Sequence, residues 1–161
     1  FGVAKTVCEG VNITIAATSY MVLEALKAAD ILKTAGVSAE VIDVRSIIPL
    51  DIDHIIDSVK KTGALLVADT GTADFGVSSE IVARVSECDE NILRFAPRRV
   101  GLPFSPSPTS PALADAFFPR ATHISKNAME MLGLNPKLLP LEGKTEDGWH
   151  DRPDPSFTGP Y

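Results

Sequence analysis

The stretch Glu40-Val41-Ile42-Asp43-Val44-Arg45-Ser46-Ile47-Ile48-Pro49-Leu50-Asp51 decides the fold of this chain. Its first residues read as a buried strand, Asp43 to Arg45 as a polar exit, and Pro49 as part of the connection into a helix. Apolar side chains then recur at Ile52, Ile55, Ile56 and Val59, one face of a helix with Asp51 placed as its N-cap. Gly63 stops that helix, and Ala64-Leu65-Leu66-Val67-Ala68 begins a second buried strand. A strand, helix, strand unit with so short a crossover implies parallel pairing and a right-handed α/β layer.

Upstream, Val3 to Val7 reads as an opening strand and Ile13 to Ala17, β-branched and apolar, as a central one. Thr18 or Ser19 is placed to cap the next helix. There Met21, Val22, Ala25, Leu26, Ala29 and Leu32 trace the apolar stripe, and Glu24, Lys27, Asp30 and Lys33 fall on the wet side. Gly36 supplies a left-handed stop. Downstream, a loop from Asp69 to Gly76 leads into a helix carrying Ile81, Val82 and Val85. Ile92 to Ala96 is the last strand candidate, followed by Arg98 and Arg99. Four prolines from Pro103 to Pro111 favour an extended connection. Ser110 is a plausible helix start, and a final helix is expected over Thr122 to Leu132, ending at Gly133. Residues 1–134 therefore read as one domain and 135–161 as an irregular Pro/Gly-rich extension. Trp149, Phe157 and Tyr161 are its expected anchors, on this domain or on a neighbour.

Composition narrows the function classes. The chain has 161 residues, 45% hydrophobic and 22% charged, with a net charge of −6. No basic stripe argues for a nucleic-acid partner, and no apolar run approaches the roughly 18 residues of a membrane helix. Cys8 and Cys88 lack CxxC or metal-ligand spacing and read as free thiols in a reducing compartment, cytoplasmic or organellar matrix. The mean hydropathy of +0.13 suggests an apolar surface reserved for a partner. Phe1 opens the chain without a methionine and leads almost at once into a strand, so the expectation is a piece of a longer polypeptide.

Catalytic chemistry is nearly absent from the pattern. The Gly71–Gly76 loop matches neither a dinucleotide fingerprint nor a P-loop, and Asp69 and Asp74 would repel phosphate. His54, His123 and His150 are scattered without metal-binding spacing, His54 being expected on the surface. No GxSxG elbow occurs. Asn12-Ile13-Thr14 fits a glycosylation sequon but falls in an expected strand. Arg98 and Arg99 read as solvated charges at a strand end. Asp43 and Arg45 form a candidate charge pair or interdomain contact, with two solvated loop charges as the alternative. No catalytic, cofactor-binding or metal-binding residue is assigned.

The words of the sequence also carry a resemblance. The opening stretch with Ser58-Val59-Lys60-Lys61-Thr62-Gly63, the segment Asn12–Thr18 with Met21–Leu26, and Phe75-Gly76 with Glu80–Val85 resemble the C-terminal domain shared by transketolases and the beta subunits of thiamine-diphosphate-dependent 2-oxoacid dehydrogenases. Pro103-Phe104-Ser105-Pro106 with Ser110-Pro111-Ala112-Leu113, Ala116-Phe117 and Pro119 is similar to the dehydrogenase branch. The resemblance implies a three-layer α/β/α fold on a five-stranded, mostly parallel mixed sheet with the opening strand antiparallel. It implies a parent enzyme that decarboxylates a 2-oxoacid (pyruvate, a branched-chain oxoacid or acetoin type) oxidatively and passes the acyl group to lipoyl groups. Thiamine diphosphate and Mg would sit in other domains of that parent, and the isolated chain would be inactive. Implied partners are an alpha subunit, a second beta subunit in an alpha2-beta2 assembly, and a dihydrolipoyl acyltransferase core. The compartment would be cytoplasmic, or the mitochondrial matrix of a eukaryote.

Two departures stand out: Thr72-Ala73-Asp74-Phe75-Gly76 replaces the family's T-G-G-F-G, and family members end near Met131 to Leu134. Two alternatives remain open. One is the matching domain of a transketolase or deoxyxylulose-phosphate synthase type enzyme. The other is a stand-alone flavodoxin-like module using the Gly71–Gly76 loop.

Overall fold

A computed structural model of the chain describes residues 1–88, 91–110, 113–114 and 117–140. Five strands, β1 (Lys5–Cys8), β2 (Ile13–Ala17), β3 (Ala39–Asp43), β4 (Leu65–Thr72) and β5 (Arg98–Leu102), form one sheet in the order β1-β3-β2-β4-β5. β2 runs parallel to both β3 and β4, β5 runs parallel to β4, and β1 is antiparallel to β3. The fold is the mixed three-layer arrangement that the family resemblance implies. β3 and β4, however, are not neighbours: the crossover through the intervening helix passes over β2, which pairs with each of them.

Alternation along β2 divides the core. Ile13, Ile15 and Ala17 face helices α1 (Met21–Thr34) and α4 (Ala121–Met131), where they meet Ala25, Leu32, Ile124 and Met129. Ala16 faces the other side with Ile42, Leu65 and Val67, beneath Ile55 and Val59 of α2 (Ile52–Thr62) and Ile81 and Val85 of α3 (Val77–Ser86). A strand buried on both faces must be apolar throughout unless each polar atom finds a partner. Thr14, the exception in β2, is wholly buried, and its hydroxyl lies 2.7 Å from both Ser58 Oγ and Thr62 Oγ1 of α2.

The helix signals hold for α2. Asp51 caps it, accepting from His54 N–H at 3.4 Å, and its other oxygen accepts from Ala4 N–H at 2.9 Å. Gly63 ends it at φ +69°. Other expectations are corrected. Neither Thr18 nor Ser19 caps α1 through its side chain; Tyr20 is the N-cap, and the Thr18 hydroxyl instead donates to buried Asp69 at 2.7 Å. Glu24 is not on the wet side: it is 3% exposed, because α4 packs against α1 there. Ile92–Ala96 is not a strand, since pairing with β4 begins only at Arg98, opposite Leu66. Arg94 turns back to close the end of α2, donating from Nη2 to the Thr62 carbonyl at 2.6 Å. The loop expected from Asp69 begins later, because Thr72 pairs with Leu102 after a register shift and prolongs β4. Asn12 precedes β2 rather than lying in it, and accepts from Ser38 N–H at 2.8 Å. α4 begins at Ala121; upstream of it Leu113, Ala114 and Phe117 are helical, and Leu113 and Ala114 N–H both donate to the Ser110 carbonyl, where a helix start was expected. Cys8 and Cys88 are both free and half-buried. No helix among the described residues is long and apolar enough to cross a membrane. Trp149, Phe157, Tyr161 and the extension beyond Pro140 lie outside the described residues.

At the amino edge of the sheet a charge cluster ties three elements together. Glu40, nearly inaccessible in β3, pairs with Lys61 at the end of α2, and Lys61 also reaches Glu9 at 3.5 Å. Burial pushes the Glu40 carboxyl up, but Lys61, Ser58 and the Gly10 N–H together outweigh it and hold the carboxyl below its usual range; Glu40 in turn raises Lys61. A carboxylate held low contributes stability above its ordinary value near 4.5 and loses it as pH falls through the folded value. Glu40→Gln is therefore expected to flatten the acid limb of the melting temperature against pH below about 4.5, and an unchanged acid limb would show that this pair carries no linkage. Gly10 sits where a Cβ would come within 2.2 Å of the Ala39 backbone. Gly10→Ala should cost about 1–3 kcal/mol or more in urea unfolding, because backbone cannot move aside as a side chain can.

Candidate interaction surface

The parallel strands β2 to β5 all finish at one edge of the sheet, and their exits are the segments 18–20, 44–51, 73–76 and 103 onward. α1 leaves β2 toward one face and α3 leaves β4 toward the other, so adjacent connections diverge at this edge, the place where open α/β sheets carry their ligand sites. Because β1 is antiparallel, residues 1–4 arrive at the same edge, with Lys5 opposite Asp43.

This edge has two unusual properties. First, the non-glycine residues of positive φ among the described residues are Ser19 (+48°), Arg45 (+58°) and Phe75 (+57°), which follow β2, β3 and β4. Side chains with a β-carbon rarely adopt this conformation, and such strain gathers at functional positions. Second, large apolar side chains stand in solvent here: Ile47, Ile48 at 85%, Phe75 at 98% and Phe104, with Phe1 and Val3 on the incoming segment. Among the described residues the opposite edge offers fewer, Val11 and the leucines 134 and 138 beyond α4. The apolar surface expected from the mean hydropathy is thus concentrated at the strands' carboxyl ends.

Polar bonds hold the edge rigid. The Thr18–Asp69 hydrogen bond joins the ends of β2 and β4, and Asp69 is 5% exposed. Tyr20 donates its hydroxyl to Glu24 Oε1 at 2.9 Å and accepts from Arg120 Nη1 at 2.7 Å; Glu24 Oε2 accepts from Ala121 N–H at 2.8 Å. Burial, then Glu24, raises the Tyr20 phenol above its ordinary value. This network seats the start of α4 on the start of α1. Asp43 and Arg45 do pair, Nε to Oδ2 at 3.3 Å, with the arginine half-exposed. Arg98 and Arg99 are not idle: Arg98 reaches Glu130 and Asn127 of α4, and Arg99 reaches the Ala73 carbonyl and Ser79. His54 is half-buried rather than exposed, its Nε2 lying 2.9 Å from Thr6 Oγ1, and His123 Nδ1 accepts from Arg120 N–H at 3.1 Å. Among the described residues no group of three or more His, Cys, Asp and Glu side chains could hold a metal ion.

Sequence reasoning missed the role of Glu24, Tyr20 and Arg120, because partners 100 residues apart leave no local signal. It also missed the clustered strain. Phe75 beside Gly76 was the available cue, since the family's two glycines before that phenylalanine mark a turn of unusual backbone.

With this geometry in hand, the comparisons agree. The model of the transketolase C-terminal domain family matches residues 2–124, and the chain belongs to that family. It is 34% identical over 82% of its length to the beta subunit of acetoin:2,6-dichlorophenolindophenol oxidoreductase of Cupriavidus necator, of which it covers 39%. It is 42% identical over 81% of its length to the mitochondrial pyruvate dehydrogenase E1 component subunit beta of Saccharomyces cerevisiae, of which it covers 36%. The chain thus spans less than two-fifths of the curated relatives it matches. A solved structure described as a split gene transketolase, inactive beta4 tetramer, superposes with a TM-score of 0.73 at 27% identity, covering 83% of this chain and 43% of the other.

Glu24→Leu tests the rigid edge. Removing the buried acceptor strips Ala121 N–H and Tyr20 of their bonds, with an expected loss of about 2–4 kcal/mol in urea unfolding. A loss below about 0.5 kcal/mol, the range of ordinary surface changes, would show that α4 is held by apolar packing alone.

Proposed function

We propose that this chain is the C-terminal assembly domain of the beta subunit of a 2-oxoacid dehydrogenase. The observation that carries the reading is the carboxyl edge, where a rigid, strained set of loops presents Ile47, Ile48, Phe75 and Phe104 to solvent. A domain that keeps such residues outside has a use for them in an interface. The similarity to pyruvate and acetoin enzyme beta subunits supports the choice of parent.

In this reading the parent decarboxylates a 2-oxoacid oxidatively and transfers the acyl group to lipoyl groups. The edge packs against an alpha subunit or a second beta subunit of an alpha2-beta2 assembly, and the Asp43–Arg45 pair lies within that contact. Residues 1–134 make up the assembly domain in this reading, and the extension that follows returns to it at Leu139, buried in the core beneath α1 and α4. Thiamine diphosphate and Mg belong to other parts of the parent. The donors found here do not fit them: Asp69 is engaged by Thr18, and no metal-holding group forms among the described residues. The chain alone is inactive. The superposed transketolase supports a second reading, the equivalent domain of a homo-oligomeric transketolase-type enzyme.

Calorimetry and co-purification test this together. The chain alone should show no binding of thiamine diphosphate with magnesium up to millimolar concentration, weaker than about −4 kcal/mol. The whole beta polypeptide should co-purify with its alpha subunit. Micromolar cofactor affinity of the chain, or a whole beta polypeptide that assembles only with itself, would overturn the reading.

A further inference from the structure

We propose that Phe75 is a docking knob, an aromatic ring that inserts into an apolar cavity with a basic rim on the alpha subunit. The inference rests on the assembly reading above and goes further by naming the residue and the chemistry of its receptor.

Phe75 is costly to the domain in two ways. Its backbone holds φ +57°, where a β-carbon is crowded, and its ring is 98% exposed, so no burial offsets the strain. The conformation persists because the residues around it are clamped. Ala73 N–H donates to the Leu102 carbonyl at 2.9 Å, and the Ala73 carbonyl accepts from Arg99 at 2.7 Å and Ser79 Oγ at 3.3 Å. The Thr72 hydroxyl donates to the Asp74 carbonyl at 2.8 Å. The ring is therefore presented on a rigid turn, and little conformational entropy remains to be lost when it enters a cavity. Residues that anchor interfaces cluster in well-packed, fully desolvated pockets, and large aromatic rings are frequent among them.

Charge defines the receptor. Asp74, beside the knob, and Glu80, in the first turn of α3, are exposed, and neither forms an ion pair among the described residues. Exposed Arg99, bonded to the Ala73 carbonyl and Ser79 Oγ, is the cation of this turn, and the two carboxylates outnumber it; on a chain of net charge −6 they repel an acidic partner and favour Lys or Arg around the cavity.

The test uses the whole beta polypeptide with its alpha subunit, and this chain for stability. Phe75→Gly relieves the left-handed strain and deletes the ring. The chain's melting temperature should stay level or rise by up to about 2–4 °C, while the alpha–beta dissociation constant rises tenfold or more. Asp74→Lys should weaken assembly most at low salt, since the lost attraction is screened as ionic strength rises. A lower melting temperature for Phe75→Gly, or unchanged assembly, would overturn the proposal. So would self-association of the wild-type chain that Phe75→Gly abolishes, which would assign the knob to a second copy. If wild-type alpha and beta do not assemble at all, the assembly reading fails with it. If they assemble and Phe75→Gly assembles equally well, the knob alone is wrong.

Discussion

The hydroxyl of Thr14 ties the central strand to the crossover helix. It lies near the start of β2, a strand sealed on both faces, where an unpaired polar atom would cost roughly 1–3 kcal/mol. Ser58 and Thr62, one turn apart on α2, both meet it at 2.7 Å. Apolar packing alone lets a helix roll or slide by small amounts, whereas two short hydrogen bonds to one atom do not. With α2 locked over β2, the chain leaving β3 must pass over β2, and β4 must settle on the far side. The strand order, and the divergence of connections between β2 and β4, follow from that placement.

The divergence leaves the two edges of the sheet with different characters. At the amino edge the charged groups are paired: Glu40 and Glu9 with Lys61, and Arg98 with Glu130. At the carboxyl edge the backbone is strained at Ser19, Arg45 and Phe75, and apolar side chains face water. Buried bonds such as Thr18–Asp69 and Glu24–Ala121 supply the rigidity that lets the strained loops persist. A stable scaffold that maintains unfavourable features on one edge is the signature of a surface completed by something else.

How much of this was legible in the sequence depended on the range of the interaction. The strands at residues 13–17 and 39–43 and the helix from Ile52 announced themselves because apolar period, Asp51 cap and Gly63 stop lie within a few residues of one another. The Ile92–Ala96 strand was misplaced because a β-rich run looks alike wherever it falls, and only the register against Leu66 selects Arg98. Glu24 was read as solvated because helical period cannot foresee that another helix, some hundred residues later, will cover it. The edge itself was half visible. Asp43 and Arg45 were singled out and do pair, but Phe75 appeared only as part of a family word, since a backbone angle is not written in a composition.

Hydrogen–deuterium exchange of the whole beta polypeptide, with and without its alpha subunit, tests the central claim most directly. Assembly through the carboxyl edge predicts new protection in residues 44–50, 73–76 and 102–105, with exchange around Val11 and Leu134 unchanged. Protection appearing around Val11 and Leu134 instead, with the carboxyl-edge loops still exchanging freely in the complex, would contradict it.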